Sequence, residues 1–147
     1  MTKEEMLDAM ENAKNVHLDQ MQKVNDEIKG KKIENPTALG KMECECGIWF
    51  HNNEERMKEI CGLQLFERLD ASHEKWHNDY ANIYKLFYLE EKKGIFSKIK
   101  ETLSSNQMKI DKAKVYYSEL KKDTKELLSI ADSASRRISA LSKSKFE

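Results

Sequence analysis

Residues 63–92 read LQLFERLDASHEKWHNDYANIYKLFYLEEK, and this stretch decides the fold. Large side chains recur in it at alternating spacings of three and four, which is the period of one face of a helix. The stripe consists of Phe66, Leu69, His73, Trp76, Tyr80, Ile83 and Phe87. A histidine stands where an apolar residue would be expected. The spacing therefore predicts a long core-facing helix with a polar group on its buried side.

Four further stretches are predicted to be helical. Residues 3–29 are the first of them, and their stripe consists of Met6, Met10, Ala13, His17, Met21, Val24 and Ile28. Short helices are predicted over residues 42–52 and 54–61. Residues 95–143 repeat apolar side chains every seven residues, in a heptad pattern with polar interruptions at Asn106 and Thr124. The sequence thus predicts an all-α fold, a four-helix bundle with a long C-terminal helix or extension.

The last stretch is long for such a bundle. A continuous helix over residues 95–143 would measure about 70 Å, against about 45 Å for residues 63–92, at a rise of 1.5 Å per residue. We therefore expect residues 1–122 to form the bundle and residues 123–147 to form a C-terminal helical extension that is partly mobile. Its last turns would project, pair with another chain or fold back as a separate helix.

The composition favours a soluble chain without a nucleic-acid surface. Of the 147 residues, 39% are hydrophobic and 35% charged, and 26 basic residues balance 26 acidic ones. A nucleic-acid partner would call for a net basic surface. The charged N-terminus lacks the apolar stretch of a signal peptide, and no run reaches the length of a membrane span. We expect a cytoplasmic protein without membrane contact, whose three cysteines are free thiols or metal ligands.

Three histidines and a cysteine form a candidate metal site. His73 and His77 lie at i and i+4 and so share one face of a helix. His17 falls on the core face of another helix, where an unpaired imidazole would cost free energy. Cys44 lies close to Gly47, which lets the backbone approach closely. Three His and one Cys make a complete tetrahedral set of donors for zinc.

In order and spacing these residues resemble the chemoreceptor zinc-binding (CZB) domain family. Its pattern is an early His, then C-x-x-G-x-W, then H-x-x-x-H on the third long helix. Here it reads His17, then Cys44-Glu45-Cys46-Gly47-Ile48-Trp49, then His73-Glu74-Lys75-Trp76-His77. The resemblance implies that His17, Cys44, His73 and His77 ligate zinc, in a four-helix bundle that forms homodimers. The second thiol, Cys46, is not part of the motif, and it could substitute for Cys44 or form a disulfide with a neighbour.

The same resemblance implies a cytoplasmic sensor and not an enzyme. Members of the family are usually attached to chemoreceptor signalling domains or to diguanylate cyclases, and so act in chemotaxis and other signal transduction. Some respond to zinc, and others respond to oxidants such as hypochlorous acid through the zinc-bound thiolate. We expect a zinc-binding regulatory module that signals by rearrangement of helices or of a dimer. Nothing in the chain resembles an output domain, so its signalling partner would be a separate protein unless the module stands alone.

Three other functions stay open on the residues alone. A small zinc hydrolase would keep one coordination position free for water, whereas four candidate ligands fill the shell. A structural helical adaptor without metal would bury the histidines as ordinary core residues. A hemerythrin-like di-iron bundle would need more His and carboxylate ligands than the core stripes offer. Outside the motif, we expect His51 to be a surface residue and Cys61 to be a small buried one.

Overall fold

The computed structural model describes residues 1–31, 33, 35–89 and 103–147. Within these residues the chain forms α-helices and no strands. The helices are α1 (Lys3–Ile28), α2 (Glu45–Asn52), α3 (Glu54–Cys61), α4 (Leu63–Tyr84) and α5 (Leu103–Ala140). A π-helical segment, Lys85–Leu89, continues α4, and a short 3-10 helix, Lys143–Phe146, follows α5. This architecture confirms the predicted all-α helical bundle with a long C-terminal helix.

Helix α1 begins at a capping box. The Thr2 hydroxyl accepts the Glu5 backbone N–H at 3.1 Å, and the Glu5 carboxylate accepts the Thr2 backbone N–H at 2.7 Å. These bonds satisfy two of the backbone donors that the start of a helix leaves free. Gly30, with a φ of 84°, follows the end of the helix, as expected from the sequence. The predicted stripe of α1 is buried throughout, His17 included.

Helices α2 and α3 form a short pair instead of one long helix. Asn53 separates them, and its side chain donates to the Trp49 carbonyl at 2.9 Å. Gly62, with a φ of 88°, then turns the chain into α4. Helix α2 packs on α1, whereas α3 packs on α4 and α5. The two short helices therefore cover the side of the core that the three long helices leave open.

Helix α5 packs along both α1 and α4. Its buried residues at the predicted heptad positions are Ala113, Leu120, Thr124, Leu127, Ala131, Ala134 and Ile138. The polar interruption Thr124 is satisfied inside the core, because its hydroxyl accepts the Trp76 indole N–H at 2.8 Å and donates to the Leu120 carbonyl at 2.8 Å. The heptad pattern therefore predicted the buried face of this helix correctly.

The last turns of α5 lie against the bundle. The helix runs through residue 122 without a break, and Ile138 and Phe146 are buried beyond it. The Lys3 ammonium donates to the carbonyls of Ser139 and Leu141, at 2.8 and 2.7 Å, and so caps the end of α5 from the first turn of α1. The expected projecting or separately folded end is therefore absent from the described structure. The division of the chain into residues 1–122 and 123–147 as folding units stays a prediction.

The length mismatch falls at the other end of α5. At 1.5 Å per residue, its 38 residues span about 57 Å, whereas the 26 residues of α1 span about 39 Å. Met108 and Val115, in the first half of α5, are 60% and 69% exposed. The helix lengths predicted from the sequence imply the mismatch but not the end at which it falls, because either end of the heptad repeat can lie along α1.

Some of the predicted helix ends fall on residues that the structure does not describe. The predicted end of the third long helix at residues 90–92, its stop at Gly94 and the start of the last helix at residues 95–102 lie outside the described residues. No described helix is both long and apolar enough to cross a membrane.

Candidate metal centre

Four donor side chains meet in the middle of the core. One donor atom each of His17, Cys44, His73 and His77 lies within 4.8 Å of the other three. All four residues are buried, and the most exposed of them keeps 2% of its surface. They come from α1, from the residue before α2, and from one face of α4. The structure thus brings together the four residues that the sequence singled out.

The His17 imidazole presents a free nitrogen to this cluster. Its Nδ1 lies 2.8 Å from the Ala13 carbonyl and therefore carries the proton that it donates to that oxygen. Its Nε2 is buried and has no hydrogen-bond partner. A buried acceptor without a partner costs about 1–3 kcal/mol. A bound cation would fill that need, so this nitrogen fits a metal site.

His73 and His77 face each other one turn apart on α4. Their Nε2 atoms are 3.1 Å apart. The Nδ1 of His77 donates to the Ala38 carbonyl at 3.1 Å, so its Nε2 also carries a lone pair. Zinc–nitrogen bonds of 2.0–2.1 Å at tetrahedral angles place two nitrogens about 3.3 Å apart. The separation between the two imidazoles therefore fits two ligands of one ion.

Cys44 reaches the cluster from the N-terminus of α2. It is the N-cap residue, with an extended backbone and no side-chain hydrogen bond to the helix that follows. The Gln20 side-chain amide lies 3.9 Å from its sulfur and donates towards it. Thiolate and imidazole are the donors that zinc prefers in closed tetrahedral sites.

Gly47 allows the loop before α2 to lie against the cluster. A Cβ at this position would stand 1.6 Å from the Lys41 carbonyl oxygen and 3.2 Å from Cε1 of His73. No side chain fits in that space, so only glycine permits this approach. The close backbone approach expected at Gly47 thus involves the Lys41 carbonyl as well as the His73 imidazole.

Burial keeps the three imidazoles neutral. It lowers the pKa of His73 to about 2 and the pKa of His77 to about 4, and it also lowers the pKa of His17. The neighbouring His17 contributes to the lowered pKa of both other histidines. Neutral imidazole is the form that binds metal. The three imidazoles are therefore in the protonation state that binding of a metal ion requires.

The model of the chemoreceptor zinc-binding domain family matches residues 17–84. That segment begins at the first donor and contains all four. Residues 17–84, a little under half of the 147 residues, thus match a CZB domain. The metal of this family is zinc, and the family is regulatory, not catalytic. No curated protein and no solved structure matches the chain.

Aromatic contacts orient the imidazoles of the CZB domain. The His17 ring meets the Trp76 ring edge to face, with centroids 5.0 Å apart, and Trp76 meets His77 at 4.9 Å. Since the Trp76 indole is bonded to Thr124, helix α5 sets the ring positions around the donors although it supplies none. The heptad pattern had marked Thr124 only as an interruption. The available signal was Trp76 on the buried stripe of its helix, because a buried indole N–H needs an acceptor.

Sequence reasoning missed Gln20 and the two backbone carbonyls that hold the imidazoles. Gln20 follows His17 by three residues and therefore lies on the same face of α1, which was the signal available. The carbonyls of Ala13 and Ala38 gave none, because every residue carries one. The two carbonyls fix the tautomers of His17 and His77, and hence which nitrogen of each ring faces the cluster of four donors.

The other thiols lie apart from the four donors. Cys46 is buried next to the CZB cluster but does not belong to it, and burial raises the pKa of its thiol. Cys61 is buried as predicted, and His51 is exposed as predicted. All three cysteines are free. Of the two candidate sulfurs, the structure thus groups only Cys44 with the histidines.

A group of three carboxylates, Asp79 of α4 with Glu119 and Asp123 of α5, lies where these two helices meet. The Lys75 ammonium contacts Asp123 at 2.7 Å, Asp79 at 2.8 Å and Glu119 at 3.5 Å. Burial raises the pKa of Asp123 to about 6. Because Lys75 already supplies the positive charge, these residues form an ion-pair network that joins α4 of the CZB domain to α5.

Proposed function

We propose that the chain is a zinc-binding sensor module in which His17, Cys44, His73 and His77 ligate one zinc ion. The observation that carries this proposal is the convergence of four buried donors from three separate parts of the chain, one of which, Nε2 of His17, has no other partner. Four protein ligands leave no position for a substrate water, so a regulatory role is favoured over a zinc hydrolase.

The signal is zinc occupancy or oxidation of the Cys44 sulfur. Zinc, when bound, supplies the positive charge that keeps this sulfur a thiolate. The thiolate donates an electron pair to an oxidant such as hypochlorous acid, takes up the hydroxyl group as a sulfenic acid and releases chloride. The sulfur loses its negative charge in this step and becomes a weak metal donor. Cys44 would then leave the site.

The response is a change in how the helices pack. Cys44 directly precedes α2, whereas the histidines lie on α1 and α4, so release of the sulfur frees α2 from the two long helices. Helix α5 contacts both histidine-bearing helices and transmits the change. The receiver is the partner subunit of a homodimer or a cytoplasmic signalling protein such as a chemoreceptor or a diguanylate cyclase.

The test is the metal content of the purified full chain by elemental mass spectrometry. We expect about one zinc per chain in the wild type and none in Cys44→Ser or His77→Ala. Cys46→Ser and His51→Ala are the matched controls and keep the metal. Circular dichroism shows whether each variant retains its helices. A metal-free wild type that folds normally would instead favour a structural helical adaptor.

A further inference from the structure

A cavity of about 290 Å³ lies between α1 and α2, next to the metal centre. Its floor is formed by buried Ala13, Cys46 and Phe50 and by half-buried Ala9. Trp49 forms one wall, with its ring centroid 5.3 Å from that of Phe50. The two alanines of α1 leave the space that larger side chains would fill. This volume is just below the range of typical small-molecule sites, about 300–1,000 Å³, and so suits a small ligand.

The rim of the cavity is negatively charged. Glu5 and Asp8 on α1 and Glu45 on α2 line it, and no basic residue does. None of the three carboxylates has an ion pair within the described part of the chain, in contrast to Glu11 and Asp132, which share Lys14 at 2.8 Å each. Three carboxylates without an ion pair in the described structure thus surround an aromatic, apolar cavity in a chain of zero net charge.

We propose that this cavity binds a small organic cation that carries an ammonium group on an apolar body. The body would lie on the alanines against the Trp49 ring, and the ammonium would stand at the rim, where the indole face and the carboxylates both attract it. The Asn12 side-chain amide is 3.5 Å from the Glu45 carboxylate, which shows that groups of α1 and α2 meet across the rim. One ammonium can therefore contact both helices.

The position of the cavity links it to the metal centre, and this step rests on the proposed function. Ala13 lies one turn before His17 on α1, and Glu45 directly follows Cys44. A cation held by Asp8 and Glu45 fixes the spacing of two elements that carry zinc ligands. Its binding raises the affinity for zinc, and zinc raises the affinity for the cation by the same factor.

The cavity is tested by titrating the full chain with phenethylamine and with its neutral counterpart 2-phenylethanol. Chemical shifts of the Trp49 indole and of the α1 and α2 amides report binding, with or without zinc. We expect the amine to bind about tenfold more tightly than the alcohol at neutral pH, because only the amine is charged. Equal affinity for the two probes would overturn the proposal.

Variants of the rim and the floor complete this test. Asp8→Asn and Glu45→Gln each remove one charge, and we expect each to weaken amine binding about three- to fivefold. Asp19→Asn, an exposed position on α1 away from the cavity, is the matched control and leaves binding unchanged. Ala9→Leu fills the cavity and abolishes binding of both probes, with circular dichroism confirming the fold. Undiminished amine binding by Ala9→Leu, or by both charge variants, would overturn the proposal, because the cation would then bind elsewhere.

The link to the metal is tested separately by chelator competition for zinc with and without phenethylamine. We expect the amine to raise zinc affinity two- to fivefold, an effect that Glu45→Gln removes; an unchanged affinity would overturn the link. A failure of the proposed zinc ligation would not affect the test of the cavity, because the amine titration is also carried out on the zinc-free chain.

Discussion

Trp76 donates its indole N–H to the Thr124 hydroxyl across 2.8 Å, and both side chains are buried. This bond joins the helix that carries two of the four candidate donors to the long C-terminal helix. Trp76 is also the ring against which His17 and His77 pack. The hydroxyl therefore holds the aromatic support of the metal centre in place.

Replacing Thr124 with Val should leave the indole N–H buried without a partner. We expect the free energy of unfolding to fall by about 1–3 kcal/mol, the usual cost of an unsatisfied buried donor, with weaker zinc binding as a second effect. Urea denaturation of the zinc-free chain measures the first effect. Thr124→Ser keeps the hydroxyl and should lose much less; equal losses in both variants would assign the effect to packing.

Gly47→Ala should disrupt the approach of the loop to the donors. The added Cβ would stand 1.6 Å from the Lys41 carbonyl oxygen, so the backbone before α2 must move and take Cys44 with it. We expect a loss of about 1–3 kcal/mol in stability, as for other overpacked sites, and a lowered zinc content. Gly40→Ala is the control, since its Cβ would meet nothing closer than 3.6 Å. Zinc retained in full by Gly47→Ala would contradict this explanation.

Cys44→Ser and Cys46→Ser should respond differently to hypochlorous acid. In the wild type we expect the oxidant to release zinc and to change the helical signal, because the metal-bound thiolate is the reactive sulfur. Cys46 is buried as a thiol with a raised pKa, so Cys46→Ser should behave as the wild type. Zinc release followed with a chromogenic chelator, together with circular dichroism, measures the response. If Cys44→Ser leaves the change in helical signal intact, the thiolate mechanism is wrong.

The zinc-free chain should lose stability in acid. Burial lowers the pKa of His77 to about 4 and of His73 to about 2, from 6.5, so the unfolded chain binds more protons than the folded one below about pH 6.5. Stability is therefore full above pH 6.5 and falls as the pH drops through 4 towards 2, with a slope that approaches about 1.4 kcal/mol per pH unit for each histidine. Denaturation midpoints between pH 7 and pH 4 measure it, and His73→Gln should flatten the curve. A midpoint independent of pH in this range would contradict the assigned burial.

Much of the fold was readable from periodicity. The stripes of α1 and α4 and the heptads of α5 predicted the faces that are buried, because one face of a helix must leave water for the bundle to be stable. Glycine at residues 30 and 62 was informative in different ways: Gly30 was expected to end α1, whereas the turn at Gly62 appears only in the structure. Periodicity did not reveal which end of α5 lies along α1, since a heptad repeat carries no marker of register.

The sequence by itself determined the four candidate donors of this protein, because histidines inside apolar stripes and a cysteine near a glycine carry their chemistry in residue type and spacing. Only the tertiary structure decided that Cys44 joins the histidines while Cys46 does not, and that Nε2 of His17 is the nitrogen without a partner. The cavity between α1 and α2 and the hydrogen bond from Trp76 to Thr124 likewise appear only in the tertiary structure. Each of these depends on distances between atoms far apart in the chain, and those distances are set by how the helices pack.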